Sequence, residues 1–164
     1  MATNIKRNLL LFLMGFSIVV TGFIACSKDD DDDDDKPTDV IYNLTGNANG
    51  GQEAPTRVST SATGTITGTY NATTNVLTYT ISWTGLSSAP NNMHFHGPAD
   101  PGIGTGVAVG ITGYPAAAAG TISKTETLSD AHEADLLAFK WYYNIHTPAN
   151  GAGEIRGQVL PMRQ

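Results

Sequence analysis

Apolar and polar residues alternate along short runs through most of the chain after residue 37. Alternation places every second side chain on the same face of a β-strand, so each run predicts a strand with one buried face. Gly, Pro or Asn residues bound the runs, as expected for turns between strands. The predicted strands are Val40–Ala48, Ala62–Tyr70, Val76–Trp83, Asn92–His96, Gly106–Ile111, Gly120–Leu128, Trp141–Thr147 and Glu154–Leu160.

One segment, Ser129–Phe139, departs from this alternation. Ser129 is suited to cap a helix, and Asp130 and Glu133 would lie near the positive end of the helix dipole. The segment therefore predicts one short helix. Together with the strands it indicates an all-β domain, a Greek-key-like antiparallel β-sandwich of about eight strands with one short helix.

A longer apolar run without charges, Leu9–Ala25, follows Lys6 and Arg7 near the start of the chain. This order is typical of a secretory signal peptide, although the run also approaches the length of a transmembrane helix. The run ends in Phe-Ile-Ala-Cys, which resembles a bacterial lipobox, and Cys26 is the only cysteine of the chain. Residues 1–25 are therefore predicted to be a lipoprotein signal peptide, with Cys26 as the lipid attachment site.

The segment 26–39 is predicted to be a lipidated acidic tether. Its aspartate run, Asp29–Asp35, repels itself and offers no apolar surface to bury, so we expect an extended, solvated chain. Two or more acyl chains on Cys26 would hold the protein lastingly on a membrane. The motif Ser27–Asp30 resembles the export signal of surface lipoproteins, which implies the cell-surface side of the outer membrane; without export the domain would face the periplasm.

Charge belongs mainly to this tether. The net charge is −6, and the aspartate run alone exceeds it. From Pro37 onward the chain has no cluster of Lys or Arg residues that could follow a phosphate backbone, so nucleic acid is not an expected partner. The domain proper is predicted over residues 40–164.

Several short motifs follow one another along this domain. They are Gly51–Pro55, Ala62–Gly64, Leu77–Ile81, Met93–Ala99, Gly106–Val109, Tyr142–Pro148 and Gly153–Gln158. Their succession resembles the CHRD domain, the module named from chordin, over Tyr42–Leu160. The resemblance implies a compact extracellular β domain without established catalytic activity, hence a non-enzymatic binding or structural module with an unknown protein or glycan ligand. Growth-factor binding is not implied, because the cysteine-rich modules of chordin are missing.

Three histidines supply the only concentrated chemistry of the domain. His94 and His96 are two residues apart, so on a strand both imidazoles point to one face. His146 lies on another predicted strand, and the three rings converge if the two strands are neighbours. Such a site would suit copper or zinc. The alternative interpretation is a buried cluster in which the rings satisfy backbone groups by hydrogen bonding.

A metal-binding protein is accordingly the second functional hypothesis. One form of this hypothesis is a superoxide dismutase-like protein, because the chain has a distant similarity to copper/zinc superoxide dismutase, which also has a His-x-His strand. That enzyme needs more histidines than the four of this chain, and an intramolecular disulfide that a single cysteine cannot form. His132 falls in the predicted helix and is expected to be solvated.

The remaining candidate residues are structural. Asn144 shares a strand face with His146, and Glu154 and Arg156 alternate onto one face of the last strand. We expect Glu154 and Arg156 to pin that strand to the loop 148–153. No activated nucleophile or carboxylate pair accompanies them, so no catalytic residue is predicted.

Overall fold

A computed structural model describes residues 38–164 of the chain. The predicted signal peptide, the lipid attachment site Cys26 and nearly all of the predicted tether lie outside the described residues, so these assignments stay predictions. Within residues 38–164, no helix is both long enough and apolar enough to cross a bilayer.

The described residues form nine strands and one α-helix, α1 (Asp130–Leu137). The strands are β1 (Ile41–Asn49), β2 (Thr63–Asn71), β3 (Val76–Thr84), β4 (Asn92–His96), β5 (Val107–Gly110), β6 (Gly120–Thr127), β7 (Tyr142–Thr147), β8 (Asn150–Gln158) and β9 (Leu160–Arg163).

All strand pairs are antiparallel and belong to one continuous sheet, in the order β5-β4-β7-β8-β1-β2-β3-β6, with β9 paired to β1. The sheet is curled into a half-barrel. The predicted all-β class with one short helix is confirmed. Where a sandwich would have two sheets, the strands form a single curled sheet.

The β2–β3 hairpin shows how the alternating pattern builds the core. Its ladder runs from Thr63 opposite Thr84 to Asn71 opposite Val76. The inward residues of β3 are buried, namely Leu77, Tyr79, Ile81 and Trp83. On the opposite face, β3 and β6 exchange hydroxyl hydrogen bonds, such as Thr80 Oγ1 to Ser123 Oγ at 2.7 Å. The apolar positions therefore fix which face of the sheet turns inward.

The helix lies where the sequence predicts it. Ser129 caps α1 by accepting a hydrogen bond from the His132 backbone N–H at 3.3 Å. Phe139, with φ of 63°, follows the helix in the left-handed region. Leu136 is the fully buried residue of α1 and joins the same apolar core as Trp141.

The end of the chain differs from the prediction. β8 begins at Asn150 and not at Glu154, so only Pro148 and Ala149 connect it to β7. A register shift between Ile145 and Thr147 interrupts regular pairing there, and an irregular ladder breaks the alternation that identifies strands. β9 is a further difference from the prediction, because Pro161 suggests the end of a strand. Proline is nevertheless tolerated in an edge strand, and β9 pairs with β1 alone.

Candidate metal site

The candidate site lies on neighbouring strands β4 and β7. Their ladder places His94 opposite Asn144, and Asn92 opposite His146. The intervening residues, including Phe95 and Tyr143, are buried in the apolar core. The histidines therefore share the face of the sheet that points away from the core, and the condition that their two strands are neighbours is met.

The structure brings the three imidazoles together. One ring nitrogen from each of His94, His96 and His146 lies within 4.8 Å of the other two. His94 Nδ1 and His146 Nε2 are 3.3 Å apart. Four ligands at zinc–nitrogen distances of 2.0–2.1 Å on a tetrahedron are separated by about 3.3–3.4 Å. The His94–His146 pair thus has the spacing of two ligands of one ion, and the three rings form a group that could hold a metal.

Backbone carbonyls fix the tautomers of two rings. His96 Nδ1 lies 3.0 Å from the Thr105 carbonyl oxygen, and His146 Nδ1 lies 3.0 Å from the Gly151 carbonyl oxygen. A carbonyl oxygen only accepts, so each Nδ1 must carry the proton. In the neutral rings, each Nε2 then presents a lone pair to the centre of the cluster, which is the arrangement that metal-binding imidazoles need.

The environment keeps two of the rings neutral near pH 7. Burial lowers the pKa of His94, and the neighbouring His146 and His96 lower it further. Burial also lowers the pKa of His146; the Gly151 carbonyl opposes this shift, and His96 adds to it. Because neutral imidazole is the form that binds metals, these two rings are ready ligands at neutral pH.

An aromatic stack supports the site from one side. The His96 and Tyr142 rings are parallel within 2°, with centroids 4.7 Å apart. The Arg156 guanidinium lies over the Tyr142 ring, 3.5 Å from its centroid, and Nη2 donates to the Asp100 carbonyl. Arg156 therefore contacts β7 and the loop after β4. The sequence had instead predicted a contact with the loop 148–153.

Glu154 has a separate set of partners. It is fully buried and accepts hydrogen bonds from Thr147 (2.7 Å), from Thr60 (2.9 Å) and from the hydroxyl and backbone N–H of Ser87. Burial alone would raise the pKa of this carboxyl, but the hydrogen bonds outweigh it and hold the pKa below its usual value. Glu154 joins the end of β7 to segments near β2 and β3, and it does not belong to the histidine cluster.

Glu53 is a residue that sequence reasoning missed. Together with His96, Tyr142 and Asn144 it lines a cavity of about 490 Å³ beside the cluster. Its Oε1 is buried without a hydrogen-bond partner. Burial raises the pKa of Glu53 to about 7, and Arg156 opposes the shift. In the sequence, only the position of Glu53 within the motif Gly51–Pro55 could have indicated that it lies near the site.

His132 lies apart from the site. Its ring packs edge-on against Trp141, with centroids 5.6 Å apart. It is partly exposed on α1 and is not one of the three grouped histidines. His132 thus offers a natural control for experiments on the cluster.

These features define an all-β domain with a three-histidine group on the face of a curled sheet that points away from the core. The family profile of the CHRD domain matches residues 44–159. The chain therefore belongs to the CHRD domain family, as the order of its motifs predicted. No curated protein and no solved structure gives a significant match.

Proposed function

We propose that this chain is a lipid-anchored CHRD protein whose domain binds one divalent transition-metal ion, copper or zinc, through His94, His96 and His146. The observation that carries this proposal is the inward convergence of ring nitrogens whose tautomers are fixed from outside. The role is binding and not catalysis, in line with the family resemblance.

The contacts with Asn144 Oδ1 supply no donor to these nitrogens, and the remaining contact within the cluster is the 3.3 Å approach of His94 Nδ1 to His146 Nε2. His96 Nε2 and His146 Nε2 each lie 3.0 Å from Asn144 Oδ1, and neither side of either contact has a proton to donate when the rings are neutral. Lone pairs that face one another in a buried site are costly, because each loses its hydration without gaining a partner. A cation at the centre removes this cost.

The ligand type narrows the choice of metal. Neutral imidazole suits zinc and copper, whereas calcium and magnesium prefer sets of oxygen ligands. The described residues contain no cysteine, since Cys26 is the only one in the chain. A thiolate site for a softer ion is therefore not available in the domain.

The location proposal rests on the N-terminal sequence. The lipobox-like end of the apolar run supports a lipid on Cys26, and the Ser-Lys-Asp-Asp motif after it supports display at the surface of the outer membrane. A metal site in this position would meet ions that arrive from outside the cell.

Metal stoichiometry tests the binding proposal. We expect the full chain, purified in detergent and loaded with zinc or copper, to retain about one equivalent of the ion after unbound ion is removed by dialysis. His94→Ala/His96→Ala/His146→Ala should retain almost none, whereas His132→Ala should behave like the natural protein. Equal metal contents in the natural protein and the triple variant would refute the site.

A further inference from the structure

Asn144 occupies the middle of the histidine cluster. It is 3 % exposed, lies opposite His94 in the β4–β7 ladder and precedes His146 by two residues. Its Oδ1 is 3.0 Å from His96 Nε2 and 3.0 Å from His146 Nε2. This buried side chain therefore points its oxygen at the same centre as the imidazoles.

The other end of the amide contacts the backbone. Asn144 Nδ2 donates to the Ala152 carbonyl at 3.4 Å, and in this orientation Oδ1 faces the rings. An amide oxygen accepts hydrogen bonds and cannot donate them. The two imidazole nitrogens that face it are also acceptors in their neutral form, because the Thr105 and Gly151 carbonyls hold the ring protons at Nδ1.

The distances suit a coordination sphere. Ligand atoms 2.0–2.2 Å from a zinc-like ion are separated by about 2.9 Å at right angles and about 3.4 Å at tetrahedral angles. The two nitrogen–oxygen separations of 3.0 Å and the nitrogen–nitrogen separation of 3.3 Å fall in this interval. These three separations suit neighbouring ligands around one ion, and the three ring nitrogens lie within 4.8 Å of one another.

We infer that Asn144 Oδ1 is the fourth ligand of the metal proposed above, and that the protein itself closes the coordination sphere. This inference rests on the proposed function. A closed four-coordinate sphere is typical of a site that holds its ion, whereas catalytic metal sites keep one position open to water or substrate. The domain would then retain a divalent ion without turning over a substrate.

Cobalt spectroscopy with a small competing anion tests the fourth ligand. Co²⁺ bound to the full chain in detergent should give the intense visible absorption of a four-coordinate ion, and millimolar azide should leave that spectrum unchanged. Asn144→Ala should bind Co²⁺ at least tenfold more weakly, and azide should shift its spectrum by occupying the vacant position. Asn144→Asp preserves the shape and the oxygen, so it should bind Co²⁺ and resist azide.

Asn92→Ala is the matched control, because Asn92 lies opposite His146 but is exposed. It should match the natural protein in affinity and azide resistance. An azide-sensitive spectrum in the natural protein, or unchanged affinity in Asn144→Ala, would overturn the role of Asn144 while leaving the three-histidine site intact. Absence of Co²⁺ binding by the natural protein would overturn both proposals.

Discussion

At the residue scale, the Glu154 side chain joins three separate segments of the domain to its own strand. Its two carboxylate oxygens accept hydrogen bonds from Thr60, Ser87 and Thr147, which precede β2, follow β3 and end β7. A buried carboxylate is tolerated only when such donors replace its hydration. The residue that sequence reasoning placed beside one loop thus joins two loops and the end of a strand.

Glu154→Gln should lower the free energy of unfolding by about 2–3 kcal/mol, because the amide NH₂ would face hydroxyl groups that now donate to an oxygen. Chemical denaturation at pH 7 measures this change. The half-exposed Glu126→Gln should cost less than about 0.5 kcal/mol. Similar losses for both variants would contradict a special role for Glu154.

The lowered pKa of Glu154 also sets a pH dependence. The folded state releases this proton more readily than the unfolded state, so the stabilisation is present above the ordinary carboxyl pKa and is lost as pH falls through the folded value. The natural protein should therefore lose more stability below about pH 4 than Glu154→Gln does.

Glu53 should change the stability with pH in the direction opposite to that of Glu154. Its folded pKa of about 7 exceeds the ordinary value of 4.5, so folding favours the protonated form and stability falls as pH rises from 4.5 through 7. With metal removed by a chelator, Glu53→Gln should exceed the natural protein in unfolding free energy at pH 8 by as much as about 3 kcal/mol, but not at pH 4.5. Parallel pH profiles for the two proteins would contradict this prediction.

At the scale of secondary structure, the close approach of β1 to the end of β8 depends on glycine. A Cβ at Gly46 would collide with the backbone carbonyl oxygen of Gln158 and would also press on the Ile66 side chain. A carbonyl of a paired strand cannot move aside without displacing the strand. The absence of a side chain at Gly46 therefore lets β1 follow the curl of the sheet.

Gly46→Ala should consequently destabilise the domain by about 1–3 kcal/mol through overpacking. Gly110→Ala on β5 is the matched control, because a Cβ there meets no other atom within 4 Å, and it should change the unfolding free energy by less than about 0.5 kcal/mol. Thermal or denaturant unfolding compares the two variants. Equal stabilities would show that β1 can shift to accept a methyl group.

The strands that could be predicted from the sequence are those with regular alternation. Asn92–His96 was predicted with its observed bounds, and its spacing alone placed His94 and His96 on one face. The register shift near Ile145 concealed the start of β8, and Pro161 concealed β9. The carbonyls of Thr105 and Gly151, which fix the imidazole tautomers, have no side-chain signature, so only the folded structure reveals them.

At the scale of the whole molecule, the proposed tether determines how far the domain can extend from a membrane. Residues 26–39, fully extended, span at most about 50 Å. The described chain enters the sheet through β1, and β8 separates β1 from the histidine-bearing β7. The proposed metal site therefore lies on strands other than β1, through which the described chain enters the sheet.

Protease treatment of intact cells tests the proposed surface location. We expect an external protease to remove the domain from intact cells, because the acidic tether predicted from the sequence would give it an accessible cleavage region. A periplasmic lipoprotein of the same cells should be spared until lysis. Protection of this chain until lysis would place it inside the outer membrane and refute surface display.

A crystal of the zinc-loaded protein tests the three-histidine site most directly, because anomalous scattering at the zinc edge locates the ion independently of any activity. We predict one strong peak about 2.0–2.2 Å from a ring nitrogen of each of His94, His96 and His146. A crystal grown with zinc that shows no peak among these rings, with the Nδ1 bonds to Thr105 and Gly151 intact, would contradict the assignment.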